Sequence, residues 1–130
     1  AVIAQKLAKR ICPDCKTEAE PDPAILEELF PEEIPGNFRC YEGKGCETCS
    51  GRGTKGRVAV VEYMQVNMDI RNAISQKYPI ARLRAIALDS GLTTMRDSGL
   101  SHVINGTIPL SELRRVLPAE RMAPEKRGAW

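Results

Sequence analysis

Four cysteines carry the chemistry legible in this sequence: Cys12-Pro13-Asp14-Cys15 and Cys46-Glu47-Thr48-Cys49, two Cys-x-x-Cys pairs with thirty residues between them. Each pair can turn both sulfurs toward one point, and the intervening chain is free to loop back, so the four form a thiolate metal site. Soft thiolates in a tetrahedral set of four are the ligands zinc takes, at about 2.3 Å, and they leave no coordination position open for water or substrate. Cys12, Cys15, Cys46 and Cys49 are therefore expected to bind structural Zn2+, a closed site that holds shape. Ligand type alone leaves iron as an alternative.

Other chemistries are poorly supported. A Cys-Pro-x-Cys sequence also occurs at redox centres, but those cysteines are activated at helix N-termini, and Cys12 is expected just past a helix C-terminus. Neither a Gly-x-x-x-x-Gly-Lys-Ser/Thr phosphate loop nor a Gly-x-Gly-x-x-Gly helix opening is present. The only histidine, His102, is expected mid-helix, on the surface or half-buried. No catalytic or organic-cofactor residues are assigned, and the chain is not expected to be an enzyme by itself. Cys40, the fifth cysteine, lies in Phe38-Arg39-Cys40-Tyr41 and is read as a bystander. An odd cysteine count argues against a secreted disulfide framework and for reduced thiols in a cytosolic setting.

The elements that must position these cysteines are short. Val2, Ile3, Leu7 and Ile11 recur at helical spacing with Lys6, Lys9 and Arg10 opposite, which predicts a helix over 2–11 that needs a surface to pack on. Asp22-Pro23 reads as a cap and first-turn proline for an acidic helix carrying Ile25, Leu26, Leu29 and Phe30. Residues 37–42 read as a strand. Gly43, Gly45, Gly51, Gly53 and Gly56 surround the second knuckle, where tight turns must aim backbone N–H groups at sulfur. Residues 57–66, rich in Val58, Val60, Val61, Tyr63 and Val66, read as the longest strand.

From Asn67 the pattern is helical. Asn67 caps one helix, Pro79 opens a second closed by Gly91, Thr94 with Asp97 caps a third, and Pro109 starts a fourth. The fold class is α+β: a zinc-bound lobe with short antiparallel strands over 12–66 and a helical lobe over 67–117. Residues 1–11 lead in as a linking helix, and 118–130 form a flexible tail. Lobes of this size are marginal for an apolar core alone, which gives zinc a folding role.

With 130 residues, 42% hydrophobic and 28% charged, the chain has an ordinary globular composition. No apolar run approaches the roughly 18 residues of a membrane span, and residues 1–11 lack the unbroken apolar core of a signal peptide. A net charge of +2 is too small to imply a nucleic-acid partner. A nucleic-acid-binding zinc ribbon using Lys44, Arg52, Lys55 and Arg57 stands as the alternative, although few aromatics are available for base stacking. Those cations are more simply read as compensation for a four-thiolate zinc of charge about −2. Residues 46–53 also fit one copy of the Cys-x-x-Cys-x-Gly-x-Gly repeat of DnaJ-type chaperones, where it occurs four times. The single copy indicates shared knuckle geometry, and a chaperone-like zinc domain is a further alternative.

The order of motifs resembles a known family. Val2 to Cys15, Gly45 to Arg57, Glu62-Tyr63, Gly91 to Leu100, Asn105-Gly106 and Glu112 to Val116 together resemble the type II secretion and type IV pilus assembly ATPases, the GspE/PilB family. The resemblance covers nearly the whole chain and departs at Ile108, where a hydroxyl residue is expected to cap the last helix. It implies the C-terminal region of a hexameric P-loop ATPase, cytoplasmic and peripheral to the inner membrane, that drives pilin or pseudopilin assembly. It implies a metal site on Cys12, Cys15, Cys46 and Cys49, and ATP and Mg2+ only in an upstream core. The implied partners are that core, neighbouring subunits and an inner-membrane platform protein. The absence of an initiating Met fits a fragment, and an apolar face left uncovered on such a fragment would favour dimers.

Overall fold

A computed structural model describes residues 1–125. The elements in chain order are β1 (Val2–Ile11), β2 (Lys16–Ala19), α1 (Pro23–Leu29), β3 (Cys40–Gly43), β4 (Thr54–Met64), α2 (Met68–Ser75), α3 (Ile80–Asp89), α4 (Met95–Ile104) and α5 (Leu110–Val116), then a 3-10 turn at Ala119–Arg121. The α+β class expected from the sequence is what the chain adopts.

The first element corrects the expectation. Residues 2–11 form a strand, not a helix, and β1 pairs antiparallel with β4 from Val2↔Met64 to Lys9↔Arg57, with a register shift before Ile11↔Thr54. Successive side chains of a strand alternate between faces, and Ala8 and Val60 on one face are fully buried. On the opposite face Ile3, Leu7 and Tyr63 stay exposed. The four-residue spacing of Ile3 and Leu7 serves a strand equally well, placing both on one face, while the register shift before Ile11 leaves that residue buried.

A two-stranded ribbon has two open edges, and side chains close parts of both. On β4 the Val61 amide donates to Ser98 Oγ at 3.2 Å, Tyr63 and Thr93 exchange backbone bonds at 3.0 Å, and His102 Nε2 lies 3.1 Å from the Ala59 carbonyl. A carbonyl only accepts, so His102 carries its proton on Nε2. On β1 the Lys9 amide donates to Glu112 Oε2 at 2.8 Å, and Arg115 donates to the Leu7 carbonyl at 2.9 Å.

The local signals for the helices agree with the structure. Asp22 accepts from the Ala24 amide at 2.9 Å, Asn67 from Ile70 at 2.9 Å and Thr94 from Asp97 at 3.1 Å. Pro109 precedes α5 without a side-chain cap bond, and Ile108 is fully buried in the main core. Burying such a side chain contributes about 1.5–3 kcal/mol, against about 1 kcal/mol for a typical cap. Burial outweighs the missing hydroxyl there. Two strands differ in extent from their expected ranges: 37–42 shortens to Cys40–Gly43, and 57–66 shifts to Thr54–Met64.

The packing does not divide between residues 66 and 67. One core takes in Ala8, Ile25, Leu29, Cys40, Val60, Leu100, Val103, Ile108, Leu113, Val116 and Met122, drawing on both expected lobes. A smaller cluster of Ile70, Ala87, Leu88 and Leu92 holds α2 to α3. The segment expected as a flexible tail is packed where it is described: Met122 is 2% exposed and Glu125 pairs with Arg84 at 2.6 Å. Residues 126–130 of that expected tail lie outside the described residues. Among the described residues no helix is long and apolar enough to cross a membrane.

Candidate metal centre

The end of β1 sets the first knuckle. The Ile11 amide donates to the Thr107 carbonyl at 2.9 Å and the Cys12 amide to the Gly53 carbonyl at 3.0 Å. Cys12 is thereby fixed at the exit of a strand rather than past a helix, which removes the helix-end argument against redox chemistry and leaves the sulfur assembly to decide. Cys15 turns back onto Cys12, and its carbonyl accepts from Lys44 at 3.2 Å, tying the first knuckle to the approach of the second.

The second knuckle is a tight turn after β3. Gly51 donates to the Cys46 carbonyl at 2.9 Å, and Ser50 and Gly51 have φ of 56° and 78°. Between the knuckles, Gly43 and Gly53 meet backbone to backbone. A Cβ on either would overlap the other's carbonyl, so the approach requires glycine on both sides.

This scaffold brings four sulfurs together. The Sγ–Sγ separations are 3.7 Å for Cys12 and Cys46, 3.8 Å for Cys15 and Cys49, and 3.8 Å for Cys46 and Cys49. All four sulfurs lie within 4.8 Å of one another. Those distances far exceed the roughly 2.05 Å of a disulfide. A tetrahedron with metal–sulfur bonds of about 2.3 Å has edges of about 3.8 Å, so the donor set fits a four-coordinate metal ion. The chemistry of the donors fits as well, because four sulfurs from two knuckles leave no corner for water.

Backbone amides favour thiolate here. Gly45 donates to Cys15 Sγ at 3.4 Å, while Cys46 and Gly53 donate to Cys49 Sγ at 3.3 and 3.2 Å. Burial pushes the Cys49 thiol up, but the Cys46 and Gly53 amides, with the Cys46 and Cys15 thiols, outweigh it and bring Cys49 down to about 6. Burial and the adjoining thiols of Cys49, Cys46 and Cys12 push Cys15 up to about 12, against the Gly45 amide. Without a metal the sulfurs compete for protons in this way; a bound cation would relieve the competition by favouring thiolate at every position. Lys44, Arg52, Lys55 and Arg57 around the knuckle are exposed.

Cys40 stands apart. It is buried in the main core, and its thiol donates to the Ala19 carbonyl at 3.5 Å. Burial, then Glu42, Glu18 and Glu20, push its pKa up.

Reading the sequence missed the ion network behind the ribbon. Glu62 accepts from Arg84 at 3.0 and 3.2 Å and from the Met95 amide at 3.1 Å. Arg96 donates to the Leu29 and Met122 carbonyls, both at 2.8 Å. A signal was available: Glu62 has the parity of Val58 and Val60, the inward apolar positions of β4, so it faces inward and must find a partner.

A tetracysteine knuckle built on a β-ribbon and backed by helices defines an α+β module whose four sulfurs have the arrangement of a metal donor set. The profile of the family described as "Type II/IV secretion system protein" matches residues 1–115. The chain belongs to that family. It is 40% identical over 114 residues to the type IV pilus assembly ATPase PilB of Thermus thermophilus, covering 86% of this chain and 13% of the relative. It is 34% identical to the type IV pilus assembly ATPase PilB of Myxococcus xanthus, covering 86% of this chain and 20% of the relative. With the type II secretion system protein E of Pectobacterium carotovorum it shares 32% identity over 92% of this chain and 23% of the relative. The chain thus spans less than a quarter of the length of each of these three.

Proposed function

We propose that the chain is a zinc-binding scaffold module of a secretion or type IV pilus assembly ATPase, with Cys12, Cys15, Cys46 and Cys49 as ligands to one structural Zn2+. The observation that carries this reading is the sulfur geometry: three edges of 3.7–3.8 Å with all four sulfurs within 4.8 Å of one another, against about 3.8 Å for a tetrahedral zinc site. Zinc supplies cross-linking rather than catalysis here. It ties the exit of β1 to the turn before β4 and closes the segment that carries β2, α1 and β3.

The relatives' names supply the setting. In a pilus or secretion ATPase, nucleotide and Mg2+ would bind to residues outside this chain, since the sequence lacks a phosphate loop. The module's work is then mechanical and non-catalytic: its surfaces pack on the ATPase core or on neighbouring subunits of a hexamer, or face an inner-membrane platform protein at the cytoplasmic side. The uncovered ribbon face of Ile3, Leu7 and Tyr63 supports packing of this kind.

Metal analysis of the purified chain tests the assignment. One zinc per chain is expected, falling below half in Cys12→Ser and Cys49→Ser and unchanged in Cys40→Ser. Stoichiometric iron, or zinc retained when either knuckle is broken, would reject it.

A further inference from the structure

We infer that the segment Pro118–Glu125 is a releasable strap, latched to the body by the Arg84 guanidinium and able to lift without unfolding the module. The inference is independent of which metal the cysteines hold. From Pro118 to Glu125 the chain crosses from α5 back over α4 toward α3. Its footing is narrow. The Met122 side chain enters the main core, its carbonyl accepts from Arg96 Nε at 2.8 Å, and Glu125 meets Arg84.

Open space flanks the strap on both sides. A groove of about 420 Å³ runs between it and Ile80, Ala85 and Leu88 of α3. Another of about 580 Å³ separates Ala123 and Pro124 from the stretch Phe30 to Glu33. A segment bounded by grooves has few contacts to lose when it opens, which is the property of low-stability local units.

The latch is divided so that Arg84 keeps a carboxylate when the strap lifts, while Arg96 gives up the Met122 carbonyl and keeps that of Leu29. Arg84 gives Nε and Nη2 to Glu125, both at 2.6 Å, and Nη1 and Nη2 to Glu62, at 3.2 and 3.0 Å. When Glu125 departs, Arg84 keeps Glu62, and Glu62 keeps both Arg84 and the Met95 amide. Breaking a buried pair is expensive chiefly because the abandoned partner is left uncompensated, and here it is not. Arg121, 3.8 Å from Glu125, belongs to the strap and moves with it. The departing carboxylate regains water. The permanent half of the network therefore lies between β4 and α3, and the Glu125 half is the part that switches.

Amide hydrogen exchange on the whole chain tests this through the Arg121 and Met122 amides, which are bonded to the Pro118 and Ala119 carbonyls. Glu125→Gln should speed their exchange about tenfold while the Ser98 amide of α4 and the Leu117 amide capping α5 keep their protection. Glu62→Gln leaves the Arg84–Glu125 pair in place and should not free the strap relative to α4. The inference is overturned if Arg121 and Met122 exchange only together with α4 and α5. It is equally overturned if Glu125→Gln leaves them as protected as in the parent chain, or if Glu62→Gln alone releases them.

Discussion

Glu112 on α5 reaches the outer edge of β1 and accepts the Lys9 amide at 2.8 Å. The same carboxylate is held by Arg115 at 2.7 Å, and Arg115 donates in turn to the Leu7 carbonyl at 2.9 Å. An acid and an arginine thus give the edge the acceptor and the donor that a third strand would bring, a side-chain form of edge protection.

Removing that acceptor should be costly. Glu112→Ala leaves the Lys9 amide without its acceptor and the exposed Arg115 fork with the Leu7 carbonyl alone, and stability should fall by about 1 kcal/mol, the net worth of an ordinary hydrogen bond. Chemical denaturation of the two proteins at neutral pH measures this, with faster amide exchange at Lys9 as the local sign.

Acid should erase the same contribution. The Arg115 guanidinium, opposed by burial and aided by the Lys9 amide, holds the Glu112 carboxyl below its ordinary value of 4.5. Glu62 shifts the same way, since Arg84 and the Met95 amide outweigh its burial. For a carboxylate depressed in the folded state, stability is fully present above the unfolded value and is lost as pH falls through the folded one. The stability gap between wild type and Glu112→Gln should stay constant from about pH 7 to about pH 5, then narrow below about pH 4. A gap that widens on acidification would reverse the sign.

Gly99 offers a contest between local and tertiary terms. Alanine is better than glycine in a helix by about 0.8–1 kcal/mol, but a Cβ at 99 would run into Leu113 Cδ1 and touch Val60. Leu113 is fully buried, and overpacking costs about 1–3 kcal/mol. Gly99→Ala should therefore lower the thermal midpoint. Combined with Leu113→Ala, its own effect should shrink or turn favourable in a double-mutant cycle.

Metal removal should act on the knuckle loop first. With about 10–16 kcal/mol at stake in a structural zinc site, a strong chelator should strip exchange protection from β2 and β3 and lower the melting temperature. Retention of the β2–β3 pairing after complete metal removal would contradict the scaffold role.

With the metal centre intact, Cys40 should resist labelling. Its thiol is buried, and its pKa is raised, so alkylation in the folded chain should lag far behind that of the unfolded chain. Chelation, which releases β2 and β3, should speed that labelling.

The parts of the structure visible in the sequence are those decided within a few residues. The cap at Asn67 and the turn-forming glycines at 51 and 53 follow from neighbours along the chain, as does the spacing of Cys46 and Cys49. The strand at β1 did not, because its identity depends on β4, more than forty residues away. Local spacing of Ile3 and Leu7 satisfies both periods, and only the partner strand selects between them. The half-buried arginines 84 and 96 were missed for the same reason: their acceptors, Glu125 and the Leu29 and Met122 carbonyls, are distant in sequence. Ile108 shows a local rule yielding, since its side chain serves the core and not the cap.

Gly43 and Gly53 give the knuckle region an unusual heredity. Where a side chain obstructs a new side chain, a second change elsewhere can trim the obstacle and restore the fit. Here the obstacle on each side is main chain, which every amino acid shares, so no compensating residue exists at either position. A lineage can keep both glycines or rebuild the loop together with its sulfurs; single-step drift at either one is closed.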